Sequence, residues 1–320
     1  MKMRFAGLAA AMLALTAIGP GAQAAKPAGG GCDRACLEGL TNQYLDALVA
    51  HDAKRAPVAS GARFTENTNE LKLGDGLWQT AGALGADKMY ISDPQKGQIA
   101  FYGTIKENGT TALLALRLKA SGGKLTEVEQ MVIRKTSGSF GDFDKMHAIT
   151  PAWRQAVPAK NRSSRAELIH AANQYFEGIE QGNGKIVPFD DNGTRIENGV
   201  LTAPSKATAD RPAMTVREQF DSKIFNYITQ IKHRRFLVVD EERGIAFAIV
   251  MFKHPGNVLE VNSPRFGKVK VASGLALYPN STEIIEAFKV DGGHIREIYA
   301  YVSVMPYEQK PGWPDMPPMK

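Results

Sequence analysis

The chain repeats itself. Asn42-Gln43-Tyr44 returns as Asn173-Gln174-Tyr175, an offset of 131 residues. In the same register Asp46 meets Glu177, Leu48 meets Ile179, and Glu66-Asn67 meets Glu197-Asn198. One register held through two blocks and the loop between them points to a duplicated unit rather than to coincidence. Ile99-Ala100-Phe101 then returns as Ile245-Ala246-Phe247 at an offset of 146, and GGKLTEV from Gly122 as GGHIREI from Gly292 at 170. Order is kept while the offset grows twice, so the second copy carries two loop insertions. Whatever fold one copy adopts, the other must adopt too. The 320 residues hold two units of roughly 130 to 150 residues, an ordinary domain size.

Each copy opens on an amphipathic helix. In the second, Leu168, Ala172, Tyr175, Phe176 and Ile179 recur at three- and four-residue spacing, with Ser164 as N-cap and Glu167 three residues on. In the first, Leu37, Leu40, Tyr44, Ala47 and Leu48 do the same. A short strand follows (ARFTEN, GTRIEN), then a second helical piece, GLWQTAGALG in one copy and TVREQFDSKIFNYITQI in the other. Two hairpins close each copy, turning at DPQKG and SGG in the first and at DEERG and DGG in the second. Helices first and antiparallel hairpins afterwards make an α+β unit with helices covering one face of a curved sheet.

That order, with NQY on the first helix and two long closing hairpins, resembles the SnoaL-like branch of the nuclear transport factor 2-like superfamily. The tandem arrangement is similar to an uncharacterised secreted two-copy family. The resemblance implies two cone-shaped units, each with a pocket between helices and concave sheet. It also implies either acid–base isomerase, dehydratase or lyase chemistry without a cofactor, or pure binding and dimerisation. Fold alone does not choose between these. The units are expected at 32–150 and 160–306, after a signal peptide at 1–24 and a linker at 25–31, with a Pro-rich tail at 307–320.

The signal is read from Lys2 and Arg4 before an apolar run from Phe5 to Ile18 and an Ala22-Gln23-Ala24 cleavage motif. It predicts a periplasmic or secreted protein with no membrane association after cleavage. Removing Lys2 and Arg4 leaves 37 basic against 33 acidic side chains, too balanced for a nucleic-acid surface. The two cysteines, Cys32 and Cys36, are expected to form a local disulfide in that compartment. No dinucleotide, P-loop, serine-hydrolase or zinc-protease motif is present, and no two of the six histidines are spaced i, i+4. Neither a metal nor a cofactor is expected. The implied partners are a small-molecule ligand or substrate and, through the duplication, an internal pseudo-dimer that can itself form a homodimer.

General acid–base groups therefore carry the functional reading. Tyr44 and Tyr175 lie on the core-facing stripe of their helices, either packed or reaching a pocket with their hydroxyls. Glu66 and Glu197 end the first strands, as turn caps or as catalytic carboxylates. His254 ends a strand whose Ala246, Ala248, Val250 and Phe252 share its face, which places it at a rim or in water. Glu297, Tyr299, Tyr301 and Ser303 share another face, either a pocket wall or a solvated surface. Arg234 sits in a basic run that binds a carboxylate or simply ends a strand. The sharpest expectation makes His254 or Glu197 the base and Tyr175 and Tyr299 the donors to a developing oxyanion, with Arg234, Glu297, Tyr301, Tyr44 and Glu66 around the substrate. A binding module without catalysis, and a scaffold whose pockets are filled, are the competing readings.

Overall fold

The computed structural model of the protein describes residues 31–135, 140–209, 211–271 and 274–316. The expected signal segment, the linker before Gly31 and the last four residues of the tail lie outside the described residues.

Both copies build the same frame. In the first, α1 (Arg34–Val49) lies over a sheet of β1 (Val58–Glu66), β2 (Asn69–Glu70), β3 (Ala81–Asp93), β4 (Gln98–Glu107), β5 (Thr110–Ser121) and β6 (Lys124–Ile133), in the order β2-β1-β6-β5-β4-β3. In the second, α2 (Arg165–Gln181) and the short α3 (Val216–Asp221) cover β7 (Phe189–Glu197), β8 (Val200–Ala203), β9 (Gln230–Asp240), β10 (Ile245–His254), β13 (Asn280–Asp291) and β14 (His294–Pro306), in the equivalent order β8-β7-β14-β13-β10-β9. The β1–β6 and β7–β14 pairs are parallel and the rest antiparallel, so each sheet is mixed rather than purely antiparallel. The two insertions are the segment holding α3 and a separate hairpin of β11 (Glu260–Ser263) and β12 (Gly267–Lys270). Among the described residues no helix is long and apolar enough to cross a membrane.

The second helical pieces are shorter than their periodicity predicts. Only Gly76–Gln79 forms a 3-10 turn in the first copy, and β3 takes the chain from Ala81. Gly82 and Gly85 allow this, because a Cβ on Gly85 would lie 2.0 Å from Thr104 Oγ1 on the neighbouring strand. In the second copy α3 stops at Ser222, with Lys223 in the left-handed region at φ 59°. Phe225, Tyr227 and Ile228 then leave the helix track altogether.

The Ile-Ala-Phe echo is one residue out of structural register. Phe101 pairs with Leu116 as Ala248 pairs with Glu286, so β4 and β10 correspond at an offset of 147. Ala246 packs under the helices while Phe247 faces away, and in the first copy Phe101 packs under the helix while Ala100 faces away. A one-residue slip exchanges the faces of a strand. The offset of 146 would set Asn108 opposite His254, and the structural register makes the counterpart Glu107 instead.

The faces turned away from the helices pack on each other. Met89, Tyr102, Leu113 and Met131 of one sheet and Val238, Phe247, Ile249 and Tyr299 of the other form a third core, closed by Phe143 and Trp153 of the connecting segment. The junction has reciprocal contacts. Arg34 at the start of α1 binds Asp240 at 2.6 Å, and Arg165 at the start of α2 binds Asp93 at 2.6 Å. Each is the other's contact with the copies exchanged, as a two-fold interface requires. At the centre of one side, Glu129 holds the fully buried Arg117 at 3.0 Å and reaches across to the fully buried Arg235. The tail crosses to the first unit. Trp313 donates to Thr65 Oγ1 at 2.8 Å and lies under the guanidinium groups of Arg63 and Arg117, 4.6 and 4.4 Å from its ring centroid. Cys32 and Cys36 form the disulfide at the start of α1, with Cα atoms 5.2 Å apart.

Candidate functional site

The second unit encloses an open cavity of about 790 Å³ between α2, the segment after α3 and the helix-side face of its sheet. The strands deliver its lining in rows. Glu286 of β13 stands between Ala248 and Ala300, with Glu197 beyond Ala300. The next row toward the mouth is Val250, Ile284 and Val302, then Phe252, Thr282 and Val304, then His254 and Asn280. Alternation along each strand puts these residues on one face and sends their neighbours into the inter-sheet core.

A polar cluster of five residues occupies the inner end. Arg195 of β7 donates to the Tyr175 hydroxyl at 3.4 Å and to Gln219 Oε1 at 2.6 Å, and pairs with Glu197 at 3.1 Å. Glu286 lies beside Tyr175, close enough to act on its ionisation, and its Oε2 has no hydrogen-bond partner. Burial pulls against the Arg195 charge, but Glu197 and Tyr175 outweigh it and hold its pKa above the usual range. Burial, reinforced by Glu197, pushes the Glu286 carboxyl up to about 8 despite Arg195. Burial and Glu286 push the Tyr175 hydroxyl well above its ordinary value. At neutral pH the inner end therefore presents a protonated carboxyl, a tyrosine hydroxyl and a guanidinium, with Glu197 paired to that guanidinium. At the outer end burial lowers the His254 imidazole to about 4, so it is neutral there.

Of the residues singled out from sequence, Tyr175, Glu197 and His254 line this cavity. They do not converge on one atom, because His254 lies three rows from Glu286, about 20 Å along the strands. Six others lie elsewhere. Tyr299 and Tyr301 point from the opposite face of β14 into the inter-sheet core. There Tyr301 donates to Gly103 O at 3.1 Å, and both border a smaller cleft of about 230 Å³. Burial pushes the Tyr299 hydroxyl up to about 12. Glu297, on that same face, accepts from Thr150 Oγ1 at 2.7 and 2.8 Å and ties down the connecting segment. Arg234 pairs with Glu180 and Asn173 on α2, at 2.5 and 2.9 Å, outside the cavity.

Tyr44 and Glu66 belong to the first unit, where the equivalent space is filled. Tyr44 donates to Gln130 Oε1 at 3.0 Å and receives the Trp78 indole N–H at 3.3 Å. Glu66 accepts from the Leu77 backbone N–H at 2.8 Å and from Gln130 at 3.0 Å, so it caps the 3-10 turn that carries Trp78. Leu77 and Trp78 are buried against Leu114 and Leu116.

Sequence reasoning missed Arg195, Glu286, Gln219 and Asn280. A usable signal was present for two of them. At the offsets of 131 and 170, Arg195 stands where the first copy has Phe64, and Glu286 stands where it has Leu116. A charged pair replacing an apolar pair at two inward positions marks a difference in interior chemistry. Among the described residues no group of three or more His, Cys, Asp or Glu is placed to hold a metal ion.

Fold and site together define two tandem α+β units, each with helices on one face of a curved six-stranded sheet, and an open pocket in the second. A family model described as a domain of unknown function (DUF8021) matches residues 161–302, less than half of the chain and all within the second unit. No curated protein matches. Solved structures similar to part of the chain include an NTF2-like protein of unknown function from Cytophaga hutchinsonii, 10% identical over 30% of this chain and 88% of that one, TM-score 0.23. Another is a protein of unknown function with a cystatin-like fold from Methylobium petroleophilum, 12% identical over 38% and 97%, TM-score 0.29. A third is an NTF-2 like protein of unknown function from Burkholderia xenovorans, 11% identical over 34% and 91%, TM-score 0.25.

Proposed function

We propose that the second unit binds an oxygenated, largely apolar organic molecule and carries out cofactor-independent acid–base chemistry on it, as a lyase, isomerase or dehydratase. The observation that carries this reading is the Glu197–Arg195–Tyr175 network beside the buried Glu286, at the inner end of a cavity whose middle is largely apolar. Neutral Glu286 and Tyr175 act as paired hydrogen-bond donors to a carbonyl or hydroxyl oxygen, where a developing negative charge is stabilised in low dielectric. Glu197, partly accessible and paired with Arg195, accepts a proton from the adjacent carbon. His254 has no part in this proton transfer, being at the other end.

The test is solvent-deuterium exchange. The purified chain is incubated in D2O with a panel of enolisable ketones and β-hydroxy carbonyl compounds, and the α-protons are followed by NMR. Exchange that is catalysed by the wild type and lost in Glu197→Gln supports the reading. Binding without exchange for every compound leaves a non-catalytic ligand carrier in its place.

We further propose that the protein is exported to the periplasm or secreted, since the local Cys32–Cys36 disulfide suits an oxidising compartment. N-terminal sequencing of the exported material should begin at Ala25, and retention of the whole chain in the cytoplasm would refute this.

A further inference from the structure

The cavity has a second polar end that acid–base chemistry does not use. His254 and Asn280 are direct cross-strand partners at the mouth, and both line the cavity. They are 1% and 8% exposed. The Asn280 carboxamide is held in one orientation, because Nδ2 donates to the carbonyls of Leu275 and Tyr278 at 2.7 Å each. Its Oδ1 is left without a partner, and so is Nδ1 of His254. Buried polar atoms are satisfied in the great majority of cases, and two orphans on adjacent residues of one cavity wall call for an explanation.

The fold does not supply one. At the equivalent positions the first unit has Glu107 and Thr110, and Glu107 is fully engaged by Arg134 and Thr80, each at 2.6 Å. The unpartnered pair belongs to the unit that keeps a cavity. Between the two ends the lining is Ile284, Val302, Phe252 and Ile228, with Thr282 as the polar exception.

We propose that His254 and Asn280 form an outer polar subsite, and that the ligand of the second unit is an elongated, two-ended molecule. It has an apolar body, an acceptor oxygen at the Glu286–Tyr175 end, and at the other a hydroxyl or amide N–H that donates to Asn280 Oδ1 or His254 Nδ1. The identity of the inner end rests on the pocket reading above; the outer subsite rests on its own residues. A spacing of about 20 Å along the strands sets the upper bound on the distance between the ligand's two polar groups.

The experiment is calorimetric titration of the full chain, at a pH near 6, with linear α,ω-alkanediols of increasing length. The primary alcohol of the same carbon number serves as the control for each. The affinity ratio of diol to alcohol should peak at one chain length, at about fivefold to tenfold, the worth of one additional hydrogen bond. Asn280→Leu and His254→Phe should each bring that ratio close to one. A general loss of folding would lower both affinities and leave the ratio standing, so the ratio separates a ligand contact from a structural role. A wild type that binds diols and alcohols equally at every length overturns the outer subsite alone. So does a ratio that survives in both variants. A wild type that binds neither overturns the pocket reading as well.

Discussion

Two inward positions differ in chemistry between the units: Arg195 stands where the first has Phe64, and Glu286 where it has Leu116, on β7 and β13 and on their counterparts β1 and β5. Glu286 matters most because its protonation sets what the inner end can donate. A carboxyl raised to about 8 in the fold binds its proton more tightly than in the unfolded chain. Its contribution to stability is therefore complete below about pH 4.5 and is lost as pH climbs through 8, at about 1.4 kcal/mol per unit of pH. Glu283, raised to about 8 by burial and by Glu129, acts in the same sense. His254, lowered to about 4, acts in the opposite one: its contribution is present above about pH 6.5 and lost as pH falls through 4. The melting temperature should thus decline between pH 6.5 and 8, and Glu286→Gln should flatten that slope, as read by calorimetry across a pH series. Ligand affinity of the wild type should likewise fall above pH 8, while Glu286→Gln, which keeps a donor, should be nearly independent of pH there. Of the residues singled out from sequence, Tyr175, Glu197 and His254 line the cavity, whereas Tyr299 and Tyr301 point into the inter-sheet core. Period-two alternation says which residues share a face and not which face meets the helices.

The helices and strands were legible in proportion to how local their causes are. The α2 start is written in Ser164 and Glu167, and the reciprocal capping box is present. Ser164→Ala should cost about 1 kcal/mol, seen as a lowered denaturant midpoint with an unchanged slope. The second helical pieces were misjudged, because apolar spacing along TVREQF and beyond fits a longer helix until Lys223 turns left-handed. The chain then spends Phe225 and Ile228 on the cavity wall instead. The slip of β10 by one residue has the same origin. Identity of three letters outweighed the turn residues Asp93 and Gly97, which align with Asp240 and Gly244 at the true offset of 147.

The whole molecule is held by what passes between the copies. Glu129 neutralises Arg117 in its own unit and Arg235 in the other, all fully or nearly fully buried. Removing it strands the buried Arg235 guanidinium and leaves Arg117 with Glu127 alone, so Glu129→Ala should destabilise the chain by about 3–5 kcal/mol. Both units should then melt together in a single calorimetric transition. Trp313→Ala, which strips the indole from Arg63 and Arg117, should cost about 1–2 kcal/mol by the same measurement. By itself the sequence determined the duplication, the α+β order of each copy, the caps and the hairpin turns, all of which arise from residues close in the chain or from the register of a repeat. Only the tertiary structure decided which sheet faces meet each other, which unit stays hollow, and that Arg195 and Tyr175 meet beside Glu286. Those outcomes depend on side chains far apart in sequence competing for one interior, and no local pattern records who wins.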